Sequence, residues 1–204
     1  MFEKNYQNYF LLRAKYKEEN LKLGKKDIVF AGNSIAMFFA DHLVAKEISA
    51  NLNYANRGIG GDLTDLLLER LDETVLALSP KIIVMDIGGL DLFFGKCLSY
   101  IENNFIQIIE AVRKKLPATK IVFFSIPPTQ ITEMNQIAPL LNTFISHLPE
   151  KYKNVYYLDV WPEMREKDYP VIRKEFTIPK DTIHFNEKGY EVWGKLLKPI
   201  LLNP

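Results

Sequence analysis

Apolar positions in this chain come as short unbroken runs set between longer stretches of helical period. Tyr9, Leu12 and Tyr16, with Phe10 and Arg13 beside them, predict a helix over residues 3–21 that Gly24 closes. The run Ile28-Val29-Phe30-Ala31 has the form of a strand covered on both faces, and a weaker strand is expected over 52–55. Residues 63–78 return to helical period, with Asp62 placed to cap the first turn. Ser79-Pro80 interrupts the chain before 81–87, the clearest strand of the sequence. An amphipathic helix over 98–116 stops at Pro117, and the strand 121–124 is ended by Pro127-Pro128. A helix over 137–148 leads to a strand at 155–158, and a last helix is expected over 186–201.

Strands of four to seven residues therefore alternate with helices of ten or more. This alternation predicts an α/β fold, a parallel sheet with helices on both faces, because each crossover has to bring the chain back to the same end of the sheet. Neither an internal repeat nor a low-complexity tract interrupts it. Residues 1–204 are expected to form one domain, with 1–24 as an N-terminal helix packed on it. Ligands of such sheets sit beyond the C-terminal strand ends.

At 48% apolar and 25% charged residues the chain has the make-up of an ordinary globular protein. Lys and Arg number 26 against 25 Asp and Glu, and a formal net charge of +1 gives no electrostatic reason to expect nucleic acid or an anionic membrane as partner. The one cysteine, Cys97, has no partner within the chain, which favours a reducing compartment. Residues 1–8 are polar and lack the form of a secretory signal, and no apolar run approaches the roughly 18 residues that cross a bilayer. A cytoplasmic location is the expectation. Basic residues cluster over 13–26 around Glu18 and Glu19, and a solvated helix face accounts for them better than a site for an acidic partner. Glu18-Glu19 and Asp72-Glu73 are expected to be solvated as well.

The chemistry concentrates at strand ends. Ser34 follows the first strand in Gly32-Asn33-Ser34-Ile35, where a glycine permits a sharp turn; taken alone, Asn and Ser in this setting are more often a helix N-cap. After the second strand, Gly58, Gly60 and Gly61 let the backbone approach a ligand, with the Gly61 N–H as a candidate oxyanion donor and a flexible turn as the alternative. Asp181 and His184 are spaced so that a carboxylate can curl back to imidazole Nδ1, which leaves Nε2 free to take a serine proton. Ser34, His184 and Asp181 together make up a nucleophile, a base and an orienter. His42 and His147 lack such a setting and read as helix-surface or partly packed residues. The chain has no His-Glu-x-x-His and no Cys pair, so a metal site is not supported, and a Walker-type glycine-lysine signature and dinucleotide-type glycine spacing are absent too. Phe38, Phe39, Phe93 and Phe94 follow these loops, with core packing as their plainer role and an acyl pocket as the functional one.

Four blocks, in order over roughly residues 27–201, make the chain resemble the SGNH (GDSL-type) hydrolases, in their acetylhydrolase and lysophospholipase-like branch. The family's Gly-Asp-Ser reads Gly32-Asn33-Ser34; its oxyanion glycine matches Gly61; its Gly-x-Asn-Asp reads Gly88-Gly89-Leu90-Asp91; its Asp-x-x-His is Asp181 to His184. The resemblance implies a three-layer α/β/α sandwich of flavodoxin-like topology, no cofactor, and hydrolysis of a small-molecule carboxylic ester. Ser34 would be the nucleophile, His184 the base and Asp181 the orienter, with the Ser34 and Gly61 N–H groups as oxyanion hole. Two positions depart from the pattern. Asn33 keeps the shape of the usual aspartate without its charge. Leu90 removes the amide that normally donates to the oxyanion, so a low-activity or non-catalytic binding protein of this fold is the alternative. Acetylated sugars, lysophospholipids and simple esters all fall within the family's range.

Overall fold

A computed structural model describes residues 2–202. In chain order the elements are α1 (Phe2–Leu23), β1 (Ile28–Gly32), α2 (Ser34–Phe38), α3 (Asp41–Glu47), β2 (Tyr54–Gly58), α4 (Thr64–Thr74), β3 (Ile82–Asp86), α5 (Gly89–Phe93) and α6 (Leu98–Lys115). There follow β4 (Lys120–Phe124), α7 (Thr132–Ser146), α8 (Leu148–Lys151), β5 (Val155–Leu158), α9 (Trp161–Met164) and α10 (Glu187–Leu202). All strand pairings are parallel, in the order β2-β1-β3-β4-β5.

Alternate residues of the central strands feed two separate cores. Val29, Ala31, Ile83, Met85, Ile121 and Phe123 pack with residues of α4, α6 and α7 on one face. Ile28, Phe30, Ile82, Val84, Val122 and Phe124 pack with residues of α3 and α10 on the other. Trp193 of α10 lies flat on Phe124, ring centroids 4.1 Å apart. Burial on both sides is why these strands read as unbroken apolar runs. The result is the three-layer α/β/α sandwich. No helix among the described residues is long and apolar enough to cross a membrane.

The second strand differs from expectation: it covers Tyr54–Gly58, not 52–55. Asn56 and Arg57 conceal it from an apolar-run reading, and both are satisfied by neighbours. Arg57 donates to Asn20 Oδ1 (2.8 and 3.0 Å), lies 3.3 Å from Glu19 and stacks over the Tyr16 ring. The helix expected over 137–148 begins earlier, at Thr132, and runs through Pro139. Two buried asparagines hold it: Asn135 accepts from Thr129 N–H (2.9 Å) and Asn142 from Ile126 N–H (2.7 Å).

The charged positions expected to be solvated are in part an ion-pair seam between α1 and α4. Arg13 pairs with Glu69 (2.6 Å) and Glu73, and Lys17 with Glu73 (3.4 Å), while Asp72 of α4 turns to Lys115 at the end of α6. Tyr9 and Tyr16 of α1 donate to Leu66 and Gly58 carbonyls beside them (2.9 and 2.8 Å). The helix period found these charges on α1 and α4 but carried no information about which faces meet.

The sheet order sets β1 between β2 and β3, with Gly32 in register with both Gly58 and Asp86. The loops after these three strands therefore open side by side. Both glycines are required by close approach. A Cβ on Gly32, which also has φ +129°, would lie 1.9 Å from the Asp86 carbonyl oxygen, and one on Gly58 would lie 2.3 Å from Met37 N.

Candidate active site

Ser34 begins α2 directly beyond β1, so its hydroxyl stands at the C-terminal edge of the sheet. Asn33 makes the turn. Its Oδ1 accepts from Ile35 N–H (2.8 Å), as the cap reading expects, while its Nδ2 donates to Asp86 Oδ1 (3.1 Å). α2 is held from two sides: Asn56 Nδ2 donates to the Ala36 and Phe39 carbonyls (2.8 and 3.1 Å), and the Tyr190 hydroxyl to that of Ile35 (2.8 Å).

From 150 residues along the chain, His184 brings Nε2 within 2.9 Å of Ser34 Oγ. Its Nδ1 faces Asp181 Oδ2 at 2.8 Å. The other carboxylate oxygen, Oδ1, accepts from the N–H groups of Ile183 and His184 (2.8 and 2.9 Å), so the short Asp181–His184 loop is braced by its own backbone. Burial pushes the Asp181 carboxyl up, but these donations and the imidazole outweigh it and hold the group below the usual carboxylate range. It is ionised at neutral pH, as a partner for Nδ1–H must be. Phe38 stands beside this set, its ring 5.2 Å from the imidazole and 45% exposed. Phe93 and Phe94 are exposed too, whereas Phe39 is core, packed on Phe30, Tyr190 and Trp193.

The loop after β2 faces Ser34. A Cβ on Gly60 would come 3.9 Å from Ser34 Cβ. Gly61 has φ +88°, in the region that favours glycine. Within the described residues neither the Ser34 nor the Gly61 backbone N–H donates to a protein acceptor. Leu90, at the start of α5, places a side chain without a donor in the third loop.

Asp62 does not cap α4; its carboxylate turns inward to Arg70, 2.6 Å from Nη2, with both side chains wholly buried. Burial pushes the Asp62 carboxyl up to about 6 against the pull of that guanidinium, which still leaves it ionised at pH 8. The capping role passes to a carboxylate of α5: Asp91 accepts from the Thr64 N–H (3.0 Å) and hydroxyl (2.7 Å). Neither buried pair was recognised in the sequence. Arg70 had a signal, because it shares a helix face with Leu67, Leu71 and Thr74, all buried.

Asp86 is a third buried acid, after Asp62 and Asp91. Burial pushes its carboxyl up to about 7, only partly opposed by the Asn33 amide, and Oδ2 has no hydrogen-bond partner. Asparagine at position 33 suits this neighbour, because an aspartate there would set two carboxylates against each other. Below its ordinary value of 3.8 Asp86 is neutral whether the chain is folded or not. Above it the unfolded chain releases the proton and the folded chain keeps it, so stability falls with rising pH up to about pH 7, by at most about 1.4 kcal/mol per pH unit. Asp86→Asn is therefore expected to raise Tm at pH 7, by about 2–4 °C per kcal/mol recovered, and to leave it nearly unchanged at pH 4. Thermal melts at the two pH values check this; an equal shift at both would contradict it.

His42 and His147 lie away from the site, His42 3.6 Å from Glu187 and His147 with Nδ1 at the Thr143 carbonyl (2.7 Å). Among the described residues no group of three or more His, Cys, Asp or Glu side chains is placed to hold a metal ion.

A model of the GDSL-like lipase/acylhydrolase family matches residues 27–192. Platelet-activating factor acetylhydrolase IB subunit alpha1 of Pongo abelii is 24% identical over 182 residues, covering 86% of this chain and 75% of that protein. A Streptococcus pneumonia structure named for platelet activating factor superposes with a TM-score of 0.88 at 25% identity, covering 98% of this chain and 95% of that one. A GDSL-like lipase of Bacteroides thetaiotaomicron gives 0.82 at 22% identity, covering 94% and 97%.

Proposed function

Because the chain belongs to the GDSL-like lipase/acylhydrolase family, we propose that it is a serine ester hydrolase in which Ser34, His184 and Asp181 form the catalytic triad. The observation that carries this reading is the unbroken chain of contacts from Asp181 Oδ2 through both imidazole nitrogens to Ser34 Oγ, at 2.8 and 2.9 Å. Ser34 Oγ attacks the ester carbonyl carbon while His184 Nε2 takes its proton. The oxygen that becomes negative is received by the N–H groups of Ser34 and Gly61, both free of protein acceptors. Collapse expels the alcohol, protonated by His184, and leaves an acyl ester on Ser34. Water, deprotonated by His184, then releases the acid. Asp181 stays ionised and holds the imidazole in the tautomer that keeps Nε2 unprotonated.

Fluorophosphonate labelling with peptide mapping tests the reading before any substrate is known. The adduct is expected on Ser34 and absent from Ser34→Ala; an intact parent that takes up no label would refute an activated serine. The relatives' name, acetylhydrolase, makes short acetyl esters the first substrates for turnover assays. One observation favours a second reading, a low-activity or non-catalytic binding protein: Leu90 carries no donor where the resemblance calls for an amide. That reading expects neither labelling nor hydrolysis across an ester panel.

A further inference from the structure

We propose that Arg70 is a positioning residue for this centre: its guanidinium ties the Gly61 loop to the Ser34 turn and so sets the spacing of the two backbone N–H groups that receive the oxyanion. The inference rests on the esterase reading above. Arg70 lies on α4 with no exposed surface. Its Nε and Nη2 both reach Asp62 Oδ2 (3.1 and 2.6 Å), on the residue that follows Gly61. Nη2 also points at the Gly32 carbonyl at 3.4 Å, two residues before Ser34. That same carbonyl accepts from Ile59 N–H (2.9 Å), so it is the junction where the two loops meet. On the far side Nη1 donates to Thr74 Oγ1 (3.0 Å), which in turn donates to the Arg70 carbonyl (2.8 Å).

Stability alone is a poor account of this arrangement. Wholly buried ion pairs are often replaceable by apolar residues without loss of stability, since both charges must be taken out of water. Here the pairing is also incomplete: Asp62 Oδ1 has no hydrogen-bond partner. What the pair does accomplish is geometric. A planar fork reaches carboxylate, carbonyl and hydroxyl at once, which an ammonium on a flexible stem cannot reproduce. It also sets a positive charge against the Asp62 carboxylate, which would otherwise stand next to a position where negative charge develops. Leu90 contributes no donor, so all oxyanion stabilisation falls on the two N–H groups whose separation Arg70 controls.

The test uses the full chain and an acetyl aryl ester, with fluorophosphonate titration to count competent sites. Parent turnover that Ser34→Ala abolishes establishes the underlying reading; a parent inert to both ester and label would sink that reading and the inference with it. In Arg70→Lys, kcat per titrated site is expected to fall by about 10²-fold, the usual cost of a misplacement near 1 Å, with KM within about twofold. Thr74→Val keeps the guanidinium and removes only its outer anchor; it should lose kcat in the same way but by less, and it decides the matter if Arg70→Lys does not fold. Adding Leu90→Asn to Arg70→Lys should recover part of the lost kcat, because a third donor relieves dependence on the other two. Unchanged kcat per titrated site in the folded variants would overturn the positioning role, with the esterase reading left intact. So would a rise in KM alone, or strictly multiplicative effects of Arg70→Lys and Leu90→Asn.

Discussion

Ser34→Ala is expected to lower kcat on an acetyl aryl ester by about 10⁴–10⁶-fold, with KM little changed, the scale at which serine hydrolases depend on their nucleophile. Alanine removes only a hydroxyl from a partly exposed residue, so the fold should persist, and equal Tm values for variant and parent check that. His184→Ala should cost a similar factor, since on the proposed reading Nε2 takes the Ser34 proton and, among the described residues, no other side chain hydrogen-bonds Ser34 Oγ. The two changes combined should be no worse than either alone if, as proposed, the residues act as one device. Progress curves for the parent, each single variant and the double variant decide it. Multiplying losses, or a Ser34→Ala protein that hydrolyses ester at the parent rate, would place the chemistry elsewhere.

Leu90→Asn is expected to act in the opposite direction. Removing one oxyanion donor from a comparable site costs about 10²–10³ in kcat, or roughly 2.7–4 kcal/mol. Restoring one should therefore raise kcat substantially, by about tenfold or more even if the new amide is imperfectly aligned. The gain should appear in kcat more than in KM, because the amide meets negative charge that exists only in the transition state. Leu90 is only partly buried, so exchange for a residue of similar length leaves no large cavity. A folded Leu90→Asn protein with unchanged or lower kcat would show that the third loop does not face the oxyanion.

Much of the architecture was legible from local pattern. The runs around Ile28, Ile82 and Ile121 became β1, β3 and β4 because strands covered on both faces are built almost wholly of apolar residues, and the run at Val155 became the edge strand β5, where Tyr156 is exposed. β2 was misplaced for the complementary reason: an edge strand tolerates Asn56 and Arg57 once α2 and its C-cap supply partners for the first and α1 for the second. The short α3, α5, α8 and α9 were missed, since four to seven residues are too few for a 3.6-residue period to register, and α2 showed only through the N-cap reading at Asn33. Asp62 was misread as a cap because its partner, Arg70, lies eight residues on, beyond any capping pattern.

What the order of amino acids determined by itself is local: where strands and helices form, where glycine alone fits, and that a serine follows the first strand while an aspartate and a histidine, expected at a strand end, stand in the loop before the last helix, well past β5. Tertiary structure decided which strands are neighbours, and hence that the Gly61 and Asp86 loops flank Ser34 while His184 arrives from 150 residues away. It also decided which charges are buried, at Arg57, Asp62, Arg70, Asp86 and Asp91. The reason is energetic. Periodicity and turn propensity arise between residues close in the chain, so they leave a local trace. The cost of burying a charge depends on a partner brought from elsewhere by the packing of whole elements.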